Sequence, residues 1–142
     1  MLINDLFVVE DLQPGDGLQP GDGLQPGDGL QPGDGMQPGD GTLTAHVHLR
    51  FPHPIFDGHF PGRPVLPGAC LVQLVEELVA AVAGTEMRLF RAGPVKFIAM
   101  IDPLRDRSIV MKLQFTADGL ITAEGINAGS TCFRFKGVFR GE

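Results

Sequence analysis

Apolar and polar positions alternate along much of this chain, and one continuous apolar run breaks the rule. Residues 108–116 alternate strictly, with Ile109, Met111, Leu113 and Phe115 set against Val110, Lys112, Gln114 and Thr116. That is the period of a strand with one buried face. Residues 42–49 repeat the pattern, and residues 2–10 read as a first strand of poorer alternation. Residues 88–101 read as a long strand interrupted at Gly93-Pro94, and Asp102-Pro103 turns the chain. Asp118-Gly119 is a hairpin signal between residues 108–116 and 120–127. A last strand is expected over 131–140, with Phe133, Phe135, Val138 and Phe139 in the core. The exception runs from Ala69 to Ala83 without a breaker until Gly84, with Pro67 ahead of it. Proline suits a helix mouth and glycine its C-terminal cap, so this stretch predicts a long helix. Strand, strand, helix and four strands make an α+β plan, an antiparallel sheet packed on one helix.

Between the first two strands stands a tandem repeat. Leu12-Gln13-Pro14-Gly15-Asp16-Gly17 recurs in three identical copies through Gly35 and closes with Met36-Gln37-Pro38-Gly39-Asp40-Gly41. A left-handed β-helix also has six-residue units, but one apolar residue in six and under two coils make too small a core. One Gln-Pro-Gly-Asp-Gly unit is a good hairpin turn. Residues 12–41 therefore read as an expanded loop inserted in a single domain spanning 1–142, and loop closure tolerates the length.

Composition narrows the function classes. A chain of 142 residues with 43% hydrophobic content suits one globular domain. Net charge is −6, divided as −8 over residues 1–41, −1 over 42–85 and +3 over 86–142. Without a dense basic patch nucleic acid is not expected as a partner, whereas an acidic protein suits the basic half. No stretch reads as a membrane span or a secretory leader. Two cysteines, Cys70 and Cys132, are too few for a disulfide framework, which points to a reduced cytoplasmic protein with buried thiols. His46 and His48 share a strand face, but no neighbouring ligand pattern supports a metal. Cys70 lies on an apolar helix and reads as inert.

The candidate chemistry lies in residues 53–79. Pro54, Pro61, Pro64 and Pro67 stiffen the chain, and Gly58, Gly62 and Gly68 permit tight turns. This loop carries His59 straight into the helix, whose first amides suit a developing negative charge. A base of near-neutral pKa at that place fits removal of an activated proton. The Gly68 amide is the natural oxyanion donor. Asp57 could orient His59, although loop aspartates usually serve turns. Glu76 and Glu77 follow Gln73 by three and four residues on nearly the same helix face and could compensate for its missing carboxyl, although such late glutamates usually face solvent.

His59-Phe60-Pro61-Gly62-x-Pro64-Val65-x-Pro67-Gly68 resembles the motif of the 3-hydroxyacyl-acyl-carrier-protein dehydratases of fatty acid synthesis, which have the hotdog fold. Val95-Lys96-Phe97 and the later strands fit that family more loosely. The resemblance implies an antiparallel sheet wrapped around one central helix. It implies dehydration of (3R)-3-hydroxyacyl thioesters on acyl carrier protein to trans-2-enoyl thioesters, without a cofactor or metal. In the family the motif histidine deprotonates the substrate, and an acidic residue fourteen positions on handles the leaving hydroxyl. Here those positions are His59 and Gln73. The implied set has His59, Gly68 and Gln73 as catalytic residues, with Phe60, Pro61, Gly62, Val65 and Pro67 around the substrate; Glu77 joins it from its helical spacing to Gln73. A homodimer or dimer-based oligomer is implied as well. Gln73 has no acid to give, so a hotdog thioesterase or a non-catalytic acyl-binding subunit stays open.

Overall fold

The computed structural model describes residues 2–15, 41–57, 64–116 and 118–141. Its elements follow the expected sequence. Strands β1 (Phe7–Pro14) and β2 (Gly41–Leu49) precede helix α1 (Gly68–Ala83), and β3 (Met87–Phe97), β4 (Ser108–Phe115), β5 (Leu120–Asn127) and β6 (Ser130–Gly141) complete the chain. All six strands form one antiparallel sheet in the order β1-β2-β4-β5-β6-β3.

The alternation read from the sequence becomes the two faces of the sheet. Leu43, Ala45, Val47 and Leu49 of β2 are buried, as are Ile109, Met111, Leu113 and Phe115 of β4. Against that face packs α1, whose Leu71, Leu74, Val75, Leu78, Val79 and Val82 are buried at helical spacing. Pro67 stands as the N-cap, and Gly84 closes the helix at φ 75°, its amide donating to the Ala80 carbonyl at 3.0 Å. Glycine takes that left-handed geometry without steric cost.

Three expectations are corrected. The first strand starts at Phe7, because the chain turns back at Asn4 (φ 71°), whose amide donates to the Phe7 carbonyl. It then runs on through Leu12, Gln13 and Pro14, so the first repeat unit begins inside the sheet, with Leu12 buried. Residues 16–40 of the repeat lie outside the described residues. Val138 is half-buried on the outer face, because Phe133, Phe135 and Phe139 fix the alternation and Gly137 takes the inward place. A Cβ on Gly137 would come within 2.7 Å of Leu89 Cδ1 and 2.9 Å of Phe135 Cζ. Lastly, Glu77 is buried at 7% exposure rather than solvated. Its Oε2 and Oε1 accept the Leu2 and Ile3 amides, each at 2.9 Å.

Gly93-Pro94 does interrupt β3: pairing with β6 shifts register between Ala92 and Val95. β3 is an outer strand of the sheet, and residues 90–100 are all exposed.

Candidate active site

The helix N-terminus is open. Pro67 offers no side-chain cap, and no acid stands in the first turn. The first amides of a helix have no intrahelical acceptor and carry the positive end of its dipole. Here they border an apolar cleft of about 520 Å³ whose walls include Val65, Pro67, Gly68, Ala69, Phe97 and Met100. The Leu66 amide donates to the Ile101 carbonyl at 3.0 Å, which ties the loop before α1 to the segment after β3. That segment in turn is held to β6, the Ile98 amide donating to the Cys132 carbonyl at 2.8 Å.

Phe97 closes one side. Its ring lies against Gly68 so closely that a Cβ there would stand 2.6 Å from Phe97 Cε1. Glycine at position 68 thus admits an aromatic wall onto the helix end. The ring also packs on Phe133, with centroids 5.6 Å apart, yet Phe97 stays 56% exposed and Met100 73%. The sequence signal for this wall is the apolar run 97–101 just past a strand, which is easily read as more strand.

The structure brings Val65, Pro67 and Gly68 together at the cleft. His59, Phe60, Pro61 and Gly62 lie outside the described residues. Gln73 is exposed and sits one turn beyond Ala69 on the same helix face, with Glu76 half-buried a further turn on. Desolvation, the charge of Glu77 and, in opposition, Arg88 act on Glu76, and the net result holds its carboxyl above the ordinary 4.5. The Glu77 carboxylate is taken up by the Leu2 and Ile3 amides and does not line the cleft. Asp57 ends the short 3-10 turn Pro54–Phe56, its amide donating to the Pro54 carbonyl at 3.0 Å.

Other candidates have structural settings. Burial pushes the Cys70 thiol up, which disfavours a thiolate nucleophile. His48 Nδ1 is 3.6 Å from Glu10 Oε1 on the outer sheet face. Among the described residues no three His, Cys, Asp or Glu side chains gather as a metal set. His53, which the sequence reading passed over, accepts the Ile55 amide at Nδ1 (3.0 Å) and sets Nε2 3.2 Å from Asp5 Oδ1. It pins the N-terminal turn to the loop that leads to the motif.

Comparison with known proteins agrees with this architecture. Among solved structures, the dehydratase heterocomplex ApeI:P from Xenorhabdus doucetiae matches at TM-score 0.61 and 20% identity, over 69% of this chain and 86% of that one. An uncharacterized protein from Erwinia carotovora subsp. atroseptica matches at TM-score 0.62 and 18% identity, over 79% and 90%. These likenesses show the hotdog fold. The 3-hydroxyacyl-[acyl-carrier-protein] dehydratase FabZ of Caulobacter vibrioides is 31% identical over 85 residues, 60% of this chain and 52% of that protein. The FabZ of Klebsiella pneumoniae is 34% identical over 86 residues, 60% and 54%. The chain thus spans about half the length of the curated relatives it matches. The model of the ApeI-like family, described as ApeI dehydratase, matches residues 36–125. With a motif-bearing loop, an open helix end and a family match over more than half its length, this chain belongs to the ApeI-like dehydratases.

Proposed function

We propose that the protein dehydrates (3R)-3-hydroxyacyl thioesters carried on acyl carrier protein, in a reduced cytoplasmic setting. The observation that carries this reading is the uncapped N-terminus of α1 at Gly68, opening onto an apolar cleft directly after the His59 motif. The thioester carbonyl oxygen accepts from the Gly68 amide, which stabilises the enolate. His59 removes the C2 proton, and the C3 hydroxyl departs. Phe60, Pro61, Gly62, Val65 and Pro67 shape the substrate's path.

Gln73 can hydrogen-bond the departing hydroxyl but cannot protonate it. The imidazolium formed on His59 is then the acid within the proposed set. It returns its proton to the hydroxyl, water leaves, and imidazole is regenerated. An exposed β3 edge bordered by Val95, Phe97, Ile98 and Met100 supports pairing with a second protomer, and a symmetric homodimer belongs to the proposal.

The test is turnover of 3-hydroxyacyl and saturated acyl thioesters side by side, with sedimentation at micromolar concentration. Dehydration is expected from the wild type, none from His59→Ala, and more from Gln73→Glu, since general acid catalysis is worth about 10²–10⁴-fold. Hydrolysis of the saturated thioester would overturn the reading in favour of a thioesterase. Binding of acylated carrier without turnover by any variant would favour a non-catalytic subunit. A sedimenting monomer would sink the homodimer and direct attention to an unlike partner.

A further inference from the structure

Six residues ahead of His59 in the sequence stands His53, and both of its ring nitrogens are engaged. Nδ1 accepts the Ile55 amide at 3.0 Å, and Nε2 lies 3.2 Å from Asp5 Oδ1. A neutral imidazole has one N–H donor and one acceptor nitrogen. Because Nδ1 accepts, the proton sits on Nε2 and is donated to the Asp5 carboxylate. Asp5 thus selects the one neutral tautomer that can accept the Ile55 amide.

The turn that this histidine caps is firmly seated. His53 is its N-cap, in extended geometry at φ −149° and ψ 141°, and Pro54 fills the first position. The Phe56 amide donates to the His53 carbonyl at 3.1 Å, and Phe56 itself is buried, its ring edge-on to Phe51 with centroids 5.5 Å apart. The turn closes at Asp57, two residues before His59. Residues 2–6 brace the same loop against α1. The Leu2 and Ile3 amides donate to the Glu77 carboxylate on the helix, and the Arg50 amide donates to the Leu6 carbonyl at 2.8 Å. Asp5 therefore stands on a bridge between the helix that carries the Gly68 amide and the chain that leads to His59.

We propose that His53 is a positioning residue for the reaction: Asp5 fixes its tautomer, and the cap it then forms on the Pro54–Phe56 turn sets the reach of His59 toward the end of α1. The role rests on the function proposed above, and no contact between His53 and substrate is invoked. A base must meet the C–H it attacks at about 3–3.5 Å, and a displacement of ~1 Å costs about 10²-fold in rate. A turn that ends two residues from the base is close enough to impose such a displacement.

The test compares His53→Ala, His53→Asn and Asp5→Ala in the full chain, each checked for folding by thermal scans. Asparagine puts Oδ1 where the imidazole has Nδ1, so it keeps the cap and drops the Asp5 contact. On a 3-hydroxyacyl N-acetylcysteamine thioester, His53→Ala should lower kcat about 10–100-fold with KM within about twofold. His53→Asn should hold kcat within about threefold of wild type. Asp5→Ala should cost kcat in the wild-type background and nothing beside His53→Asn, where no tautomer remains to be chosen. Ring-nitrogen NMR reads the same device without turnover. His53 should show a bare Nδ1 and a protonated Nε2, averaged between tautomers in Asp5→Ala. The His59 ring resonance, assigned through His59→Ala, should shift in His53→Ala and return in His53→Asn. Unchanged kcat in folded His53→Ala overturns the proposal. Equal losses in His53→Ala and His53→Asn overturn it too, since the ring would then only fill space. If the wild type turns over no thioester the activity reading fails, and the His59 resonance alone then decides the positioning.

Discussion

Glu77→Gln tests whether the late glutamate of α1 is part of the scaffold. The wild-type carboxylate accepts two backbone amides, Leu2 and Ile3, each at 2.9 Å, in a residue only 7% exposed. Glutamine keeps one acceptor oxygen and turns an NH₂ toward the second amide, so one bond is lost and one buried donor is orphaned. Hydrogen bonds to charged groups are worth about 1.5–3 kcal/mol, and an orphaned buried donor costs ~1–3 kcal/mol. The substitution should therefore cost about 2–3 kcal/mol. At roughly 3–5 °C per kcal/mol for a chain of 142 residues, Tm should fall by about 10 °C. Thermal unfolding followed by circular dichroism measures this, and hydrogen exchange at the Leu2 and Ile3 amides should speed up ahead of the core. Thioester turnover per folded molecule should hold at 20 °C or so, well below the transition. A Tm within about 2 °C of wild type, paired with lost turnover, would refute the scaffold role and return Glu77 to the substrate.

Glu76 and Gly137 give further checks. The Glu76 carboxyl is held above 4.5, so the folded state binds its proton more tightly than the unfolded chain does. The stability this supplies is present below that value and is lost as pH rises through the higher folded pKa. Glu76→Gln should accordingly raise Tm slightly at neutral pH and leave it unchanged near pH 4 in thermal scans; a gain at acid pH would contradict the assignment. Gly137→Ala drives a methyl toward Leu89 Cδ1 at 2.7 Å and should cost about 1–3 kcal/mol in urea unfolding. Leu89→Ala in the same chain should recover part of that cost, and a neutral Gly137→Ala would show that β3 yields easily.

Legibility followed the physics of each element. The helix could be bounded because Pro67 and Gly84 act locally, through a fixed φ and a left-handed cap. β4 and β2 could be read because period-two burial is written in the sequence itself. Val138 was misplaced because a local apolar cluster, Val138-Phe139, resembles core, whereas alternation counted from Phe133 turns it outward and leaves the inner position to Gly137. Glu77 was unreadable because its partners are Leu2 and Ile3, 75 and 74 residues away. At the site, the proline and glycine punctuation around residues 64–68 revealed the loop-to-helix junction. The Phe97 wall depends on how β3 crosses the helix end, and only the sheet order supplies that.

The way the sheet ends beside the repeat has an evolutionary consequence. β1 leaves at Pro14 and β2 returns at Gly41, with the Gly15 amide donating to the Thr42 carbonyl at 2.7 Å and Pro14 in register with Leu43. The pairing reads only these ends. Each Leu-Gln-Pro-Gly-Asp-Gly unit is interchangeable with the next, so gaining or losing a whole copy presents the same residues to the same partners. Every copy brings one aspartate and no base. Slippage between copies would then move the net charge one unit at a time. Copy number is in this sense a dial on the net charge of the chain.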